Sequence, residues 1–418
     1  MNLTTIMIIL TQILYSITMS LSKIQKLDPE VTMNVSEIIK YYGYPCQDHT
    51  VTTEDGFILS LQRIPGGNIF NSSRKNPLVV FLQHGLLCSS TSWVMNMRNQ
   101  SLGFILADMG FDVWLGNSRG STYSMKHAKY FPNQSKFWDW SWDHMAQYDF
   151  PAVLSYILTV TKQISLYYIG HSQGTLIAFS ALSSRNYYNG SNYTREFKNL
   201  KIFKNIKLFI ALSPVAYLGH IHGPLKAIAK LPVSQEILEF FLGKDKDFLP
   251  QNNILKWLNK MFCDKKRFEV MCSNILFLIC GPDITNLNKS RIPVYFAHYP
   301  AGTSVQNMIH YIQAVKSKKY QKFDYGIFKN KEIYNQFKPP QYDISKMSEV
   351  PVHLFTGSED WLSTMIDVNI MKAKLKNFKQ YNYPSYNHLD FIWGENAPSR
   401  VYNVIIDILK KDINNNKS

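Results

Sequence analysis

The stretch from Ser165 to Ala181 constrains this chain more than any other. Leu166 to Ile169 is an unbroken apolar and aromatic run, which reads as a buried strand. Gly170-His171-Ser172-Gln173-Gly174 follows, and then small and apolar residues at helical spacing: Leu176, Ile177, Phe179 and Ala181. A strand, a G-x-S-x-G turn and a helix in succession describe a nucleophile elbow. The glycines flanking the serine let strand and helix pack closely, where a Cβ would clash. Such a turn lifts Ser172 Oγ clear of the sheet, at a helix N-terminus whose dipole favours developing negative charge. The alternative, a Gly-rich turn with an incidental serine, requires that no acid and no histidine follow.

Around that elbow the chain alternates strands and helices. Asp28 to Tyr44 reads as a short helix ending at Gly43, with Asn34 and Ser36 as capping candidates. His49 to Thr53 and Gly56 to Ile64 flank Glu54-Asp55-Gly56, a hairpin signal. Pro77 to Gln83 is fully apolar until its last residue, and delivers His84-Gly85-Leu86-Leu87 to a strand's C-terminal end, where open α/β sheets place ligands. Phe111 to Leu115 and Ile206 to Leu212 read as further strands, and Trp142 to Val160 as a long helix. From about Val215 to Tyr325 the alternation gives way to helical apolar patterns and prolines. Val350 to Phe355 and Lys376 to Tyr383 then resume the sheet, and Ala397 to Lys410 closes the chain as an amphipathic helix. The expected organisation is a signal segment over 1–20, a sheet domain over 21–214 and 326–418, and a helical cap with a lid over 215–325. Large apolar residues (Ile228, Ile237, Leu238, Phe240, Phe241, Leu242, Ile254, Leu255, Trp257, Leu258) recur at helical spacing in that cap.

An elbow of this kind sets the order serine, acid, histidine, and the sheet carrying it is that of an α/β-hydrolase, mostly parallel with helices on both faces. His388 is the only histidine beyond residue 353, and it lies just after the last apolar strand. Asp360 stands one turn past the strand ending at Phe355, whereas Asp367 falls within an expected helix and Glu359 faces the other way. A serine hydroxyl becomes a nucleophile when a histidine takes its proton and an acid holds that imidazole's tautomer. Ser172, His388 and Asp360 are therefore the expected catalytic residues. The oxyanion needs fixed donors, expected from the N–H groups of Gln173 and Leu86. His171 is expected beneath the turn, His84 and His353 as structural, and Cys88 as a small buried hydrophobe.

Several strings resemble the acid lipase family, which includes gastric and lysosomal acid lipases and insect lipase-3-like enzymes. They are Leu86 to Trp93, Gly116-Asn117-Ser118-Arg119-Gly120, Phe137 to Asp149, Gly170 to Gly174, Pro300 to Gln306 and Asn387 to Gly394. The likeness runs from about Asp28 to Ile408. It implies the same triad and oxyanion donors, a cap with a movable lid, a Cys263–Cys272 disulfide and a free Cys280. The chain departs from the family pattern beside the acid. Gly357-Ser358 replaces a Gly-Gly pair, and Leu362-Ser363-Thr364 replaces Leu-Ala-Asp.

Composition bounds the compartment and the partners. Of 418 residues 45% are hydrophobic and 14% aromatic, enough for a sizeable core. Ile6 to Tyr15 is apolar but too short to span a bilayer, and Ser16 to Ser20 is small, so a signal peptide cleaved near Ser20 to Ser22 is expected. The alternative is an N-terminal anchor. Sequons at Asn34, Asn71, Asn99, Asn133, Asn189, Asn192 and Asn288 agree with a secreted or lysosomal route. The cysteines number five; Cys263 and Cys272 are close enough to close one small loop, while Cys46, Cys88 and Cys280 have no obvious partner. Without any C-x-x-C a zinc site is not expected, and no cofactor is needed. The net charge of +15 comes from scattered lysines that accompany no nucleic-acid motif, so a solvated surface with weak attraction to anionic lipid is expected. The expected function is a monomeric serine lipase or esterase acting on triacylglycerols or sterol esters at a lipid–water interface. A carboxylesterase or phospholipase of the same fold, and a non-catalytic lipid carrier or storage protein, are the competing readings.

Overall fold

Apolar runs without polar interruption need cover on both faces, and here they build the middle of a sheet. In the computed structural model the strands are β1 (Gln47–Thr52), β2 (Phe57–Pro65), β3 (Val79–Gln83), β4 (Asp112–Gly116), β5 (Lys126–His127), β6 (Leu166–His171), β7 (Ile206–Leu212), β8 (Asp247–Phe248), β9 (Thr303–Ser304), β10 (Val352–Gly357) and β11 (Phe378–Tyr383). The main sheet runs β1-β2-β4-β3-β6-β7-β10-β11, with β5 alongside β2. Pairing is antiparallel for β1, β2 and β5 and parallel from β4 to β11. Residues 28–66, 77–184, 200–230, 246–249, 281 and 286–415 are described. The signal segment, Asn71, Asn189, Asn192, residues 234–245 and 250–258 of the lid, Cys263, Cys272 and Cys280 lie outside them.

The period of two along each strand sorts its side chains into two apolar layers. Phe81, Trp114, Tyr168, Phe209 and Ala211 face one layer, with Trp140, Trp142, Phe150 and Phe179. Val80, Leu82, Val113, Leu115, Tyr167, Ile169, Leu208 and Ile210 face the other, with Trp393, Tyr402, Ile405 and Leu409. Helix α1 (Val35–Tyr41) opens on a capping box in which Asn34 accepts from Glu37 N and Glu37 accepts from Asn34 N. Ser36, the other capping candidate, instead donates to Asp48. Helix α2 (Phe150–Thr161) and helix α3 (Gln173–Ser183) cover the first layer.

The expected helix from Trp142 to Val160 is present and runs to Thr161, with a π-turn inserted over Met145–Asp149. Pro151, in the first turn of α2, has no N–H to give the carbonyl four residues back, and the backbone widens there. Between β7 and β10 the chain leaves the sheet through α4 (Gly223–Lys230), α5 (Ile292–His298), α6 (Val305–Ser317) and α7 (Ile327–Tyr334). The returning part packs on the sheet domain. Ile292, Val294 and Tyr295 join the second layer, and Tyr295 stacks on Trp393 at 4.4 Å between centroids. Buried Arg291 ties this return to Met95 O and to the carboxylates of Asp28 and Glu30. Helix α8 (Met365–Lys372) follows β10, and α9 (Asn403–Asn415) closes the second layer.

Candidate active site

The C-terminal ends of β3, β6, β10 and β11 carry the residues singled out above. Ser172 joins β6 to α3 with φ 52° and ψ −117°, a conformation an L-residue holds only when its surroundings impose it. Two close approaches impose it. A Cβ on Gly170 would lie 2.9 Å from Gly174 C and Thr175 N, and one on Gly174 would lie 2.3 Å from Gln83 O. The second glycine thus clears the end of β3 rather than its own strand. Tyr168 Oη donates to Gly174 O at 2.7 Å and pins the turn from below.

Three buried side chains meet at that turn. Ser172 Oγ lies 2.7 Å from His388 Nε2, and His388 Nδ1 lies 2.9 Å from both oxygens of Asp360. Asp360 Oδ1 also accepts from Leu362 N at 2.9 Å and Ser363 N at 2.7 Å. Burial works to raise this carboxyl, but His388 and those two N–H groups outweigh it and hold it below the ordinary range. Asp367 faces elsewhere: from α8 it accepts from the N–H of His220 and pairs with its Nδ1 at 2.8 Å. Glu359 is exposed.

His388 is held through its backbone as well as its ring. Its carbonyl meets His171 Nε2 at 2.9 Å and Ser213 Oγ at 3.3 Å. Because a carbonyl only accepts, His171 carries its proton on Nε2. Burial, reinforced by His388, pushes His171 down to about 3, so it keeps that neutral form in acid.

The loop after β3 lies directly over the serine. A Cβ on Gly85 would stand 3.0 Å from Ser172 Cβ and 3.5 Å from its Oγ. Next to it is the Leu86 N–H, and across the turn the Gln173 N–H opens α3; neither donates a hydrogen bond to another described residue. The shape of this loop depends on Gly116 to Gly120. Ser118 N donates to His84 Nε2 at 3.0 Å, Gln83 Nε2 donates to Ser118 Oγ at 3.0 Å, and Asn117 Oδ1 takes the N–H of Ser90. His84 Nδ1 then donates to Gly85 O at 2.8 Å, and burial pushes that ring down to about 4. Buried Arg119 anchors the motif by pairing with Asp55 at 2.6 Å and Asp149 at 2.5 Å. Cys88 is buried beside Leu86, and burial pushes its thiol up to about 12.

Sequence reasoning missed a second support. Asn307, fully buried, donates from Nδ2 to Gln173 Oε1 at 2.8 Å and to Thr303 Oγ1, while its Oδ1 accepts from Trp142 N. It is the residue immediately after the string Pro300 to Gln306. The departures beside the acid are accommodated. Ser363 Oγ donates to Pro214 O at 2.6 Å, and Thr364 caps α8.

The comparisons with known proteins agree on one family. Residues 35–97 match the partial alpha/beta-hydrolase lipase region, and residues 78–186 match the alpha/beta hydrolase fold. Lysosomal acid lipase/cholesteryl ester hydrolase of Homo sapiens is 46% identical over 391 residues, covering 93% of this chain and 94% of that protein. The chain belongs to the acid lipase family. Gastric triacylglycerol lipase of Homo sapiens is 44% identical over 386 residues, 92% of each chain. A solved candidate lipase from Sulfolobus solfataricus superposes with a TM-score of 0.55 at 20% identity over 88% of this chain and 94% of that one, a likeness of fold alone. As an acid lipase the chain is a carboxylic ester hydrolase, which sets aside the carrier or storage reading. No described helix is long and apolar enough to cross a membrane.

Proposed function

We propose that this acid lipase hydrolyses neutral acyl esters, triacylglycerols and sterol esters, through an acyl-enzyme on Ser172. The observation that carries the reading is the unbroken hydrogen-bonded line from Ser172 Oγ through His388 to Asp360. Ser172 Oγ attacks the ester carbonyl carbon while His388 Nε2 takes its proton. Asp360 keeps Nδ1 protonated and faces the imidazolium that forms. The oxyanion sits between the N–H groups of Gln173 and Leu86. His388 then hands the proton to the departing alcohol, and water repeats the cycle on the acyl-enzyme. The names of the relatives support the choice of substrates.

The same reading places the cap over 215–325 as a cover whose lid, within 234–258, opens at a lipid surface. It makes the protein a secreted or lysosomal monomer, cleaved after its first 20 or so residues and bridged between Cys263 and Cys272. Of the sequons, Asn34, Asn99 and Asn133 are exposed and Asn288 is half-buried, open to glycan attachment.

The test is a panel of long-chain triacylglycerol, sterol ester, phospholipid and short-chain ester with Ser172→Ala, His388→Ala and the double variant. Each single variant should lose at least about a thousandfold in kcat, and the double should be no worse, because the two side chains act as one unit. Activity of Ser172→Ala within about tenfold of the parent would refute the nucleophile. Preference for phospholipid over neutral esters would refute the substrate class.

A further inference from the structure

Helix α7 turns a polar side chain inward and leaves its large apolar ones in water. A helix resting on a globular core turns its apolar stripe inward and its polar face to water. Here the inward position is Asn330, buried, whose Nδ2 donates to Asp324 Oδ1 at 2.7 Å and Phe337 O at 3.1 Å, and whose Oδ1 takes the N–H of Tyr325. Tyr334 Oη donates to Phe323 O at 3.0 Å. The outward positions are Ile327, Phe328 and Ile333, 63%, 89% and 41% exposed, joined by Phe337 just after the helix at 61%. Single exposed apolar residues are ordinary on a soluble protein, but four in one short segment mark a contact surface.

The charges around them say what the surface meets. Lys329, Lys331 and Lys338 are exposed among these residues, against Glu332 as the one acid between Gly326 and Lys338. Lys331 Nζ lies 5.6 Å from the Phe337 ring and Lys329 Nζ lies 5.0 Å from the Tyr325 ring, so the cationic heads ride beside the aromatic groups. Apolar side chains flanked by lysines are the composition of a segment that lies in an anionic lipid interface. A second copy of this chain fits poorly, because a two-fold contact would bring the lysines of one copy against those of the other.

The segment is also tied to the catalytic end of the fold. Phe323 and Tyr325 pack with Val305, Ile309 and Phe248. Phe248 lies in β8, paired with Thr303 of β9, and Thr303 Oγ1 accepts from the same Asn307 that holds Gln173. A continuous line of contacts therefore joins the base of α7 to Gln173, the residue after Ser172.

We propose that α7 and the turn to Lys338 form a docking element for anionic lipid–water surfaces, separate from the cap. This rests on the reading of the protein as a lipase at such surfaces, and the test separates the two. The full chain carrying Ser172→Ala, so that lipid is not consumed, is floated with vesicles of phosphatidylcholine alone or with phosphatidylserine. It should bind the phosphatidylserine vesicles more tightly and lose that preference as salt rises. Adding Ile327→Ser and Phe328→Ser should weaken binding about tenfold or more, the scale of two large apolar side chains left in water. Lys329→Gln, Lys331→Gln and Lys338→Gln together should remove the phosphatidylserine preference and the salt sensitivity. In the active enzyme both sets should leave kcat/KM on a dissolved short-chain ester at the parent value. Vesicle affinity unchanged by either set would overturn the docking element. So would a dimer that Ile327→Ser and Phe328→Ser convert to monomer with vesicle affinity unchanged. An active-background parent inert on the dissolved ester would instead refute the catalytic reading.

Discussion

Asn307 offers the sharpest test of how the site is supported. Leucine there keeps the volume and removes every hydrogen bond of the carboxamide. Trp142 N–H would lose its acceptor at 2.9 Å, while Gln173 Oε1 would lose its donor at 2.8 Å but keep Tyr311 Oη at 3.2 Å. A buried polar group left without a partner costs about 1–3 kcal/mol, so Asn307→Leu should destabilise the protein by about 2–4 kcal/mol, with the Trp142 N–H contributing most. Aspartate separates stability from catalysis. Asn307→Asp keeps an acceptor for Trp142 N–H but sets a carboxylate against Gln173 Oε1, which repels it. The Gln173 carboxamide must then turn over to meet it with Nε2, giving up the hydrogen bond from Tyr311 Oη, and any strain this puts on the side chain is passed to the adjoining backbone N–H. Losing one oxyanion donor outright costs about 2.7–4 kcal/mol, a hundredfold to a thousandfold in kcat, and that is the ceiling. The start of α3 still restrains the N–H, so a loss of about tenfold or more below that ceiling is expected. The assay is kcat on a dissolved short-chain ester beside chemical denaturation of both variants. A kcat for Asn307→Asp within about twofold of the parent would refute the link from Asn307 to the proposed oxyanion donor.

Further outcomes follow from the same geometry. Asp360→Asn should lower kcat by about ten-thousandfold, because the carboxamide holds the wrong imidazole tautomer, whereas Asp367→Asn should change kcat little and act on the packing of His220; the reverse order would show that the acid was misassigned. His171 stays neutral in the folded protein down to about 3 but takes a proton in the unfolded chain below about 6.5. The unfolded state therefore binds more protons in that window, so stability rises with pH by up to about 1.4 kcal/mol per unit from this group and falls on acidification. His171→Gln should flatten the slope measured by denaturation between those limits, and an unchanged slope would mean that the ring is not held neutral.

Much of this protein is local physics and therefore readable along the chain. Apolar runs of five or six residues become strands, their alternation divides two layers, and Gly170 and Gly174 permit a turn that few other residues could enter. The order of Ser172, Asp360 and His388 follows from strands ending in sequence, since each of these proposed catalytic residues sits past a strand end. What the sequence leaves open is every bond made across the sheet. The carbonyl of His388 meets the ring of His171, which lies 217 positions earlier. Asn307 reaches Gln173 across 134 positions, and His84 is fixed by a backbone N–H from the next loop. No periodicity encodes such pairs, because they depend on which loop ends the sheet twist brings within 3 Å. The same holds for α7. Its residues alternate too little to reveal a face, and only the tertiary structure shows that Asn330 is the side chain turned inward and Phe328 the one left to the solvent.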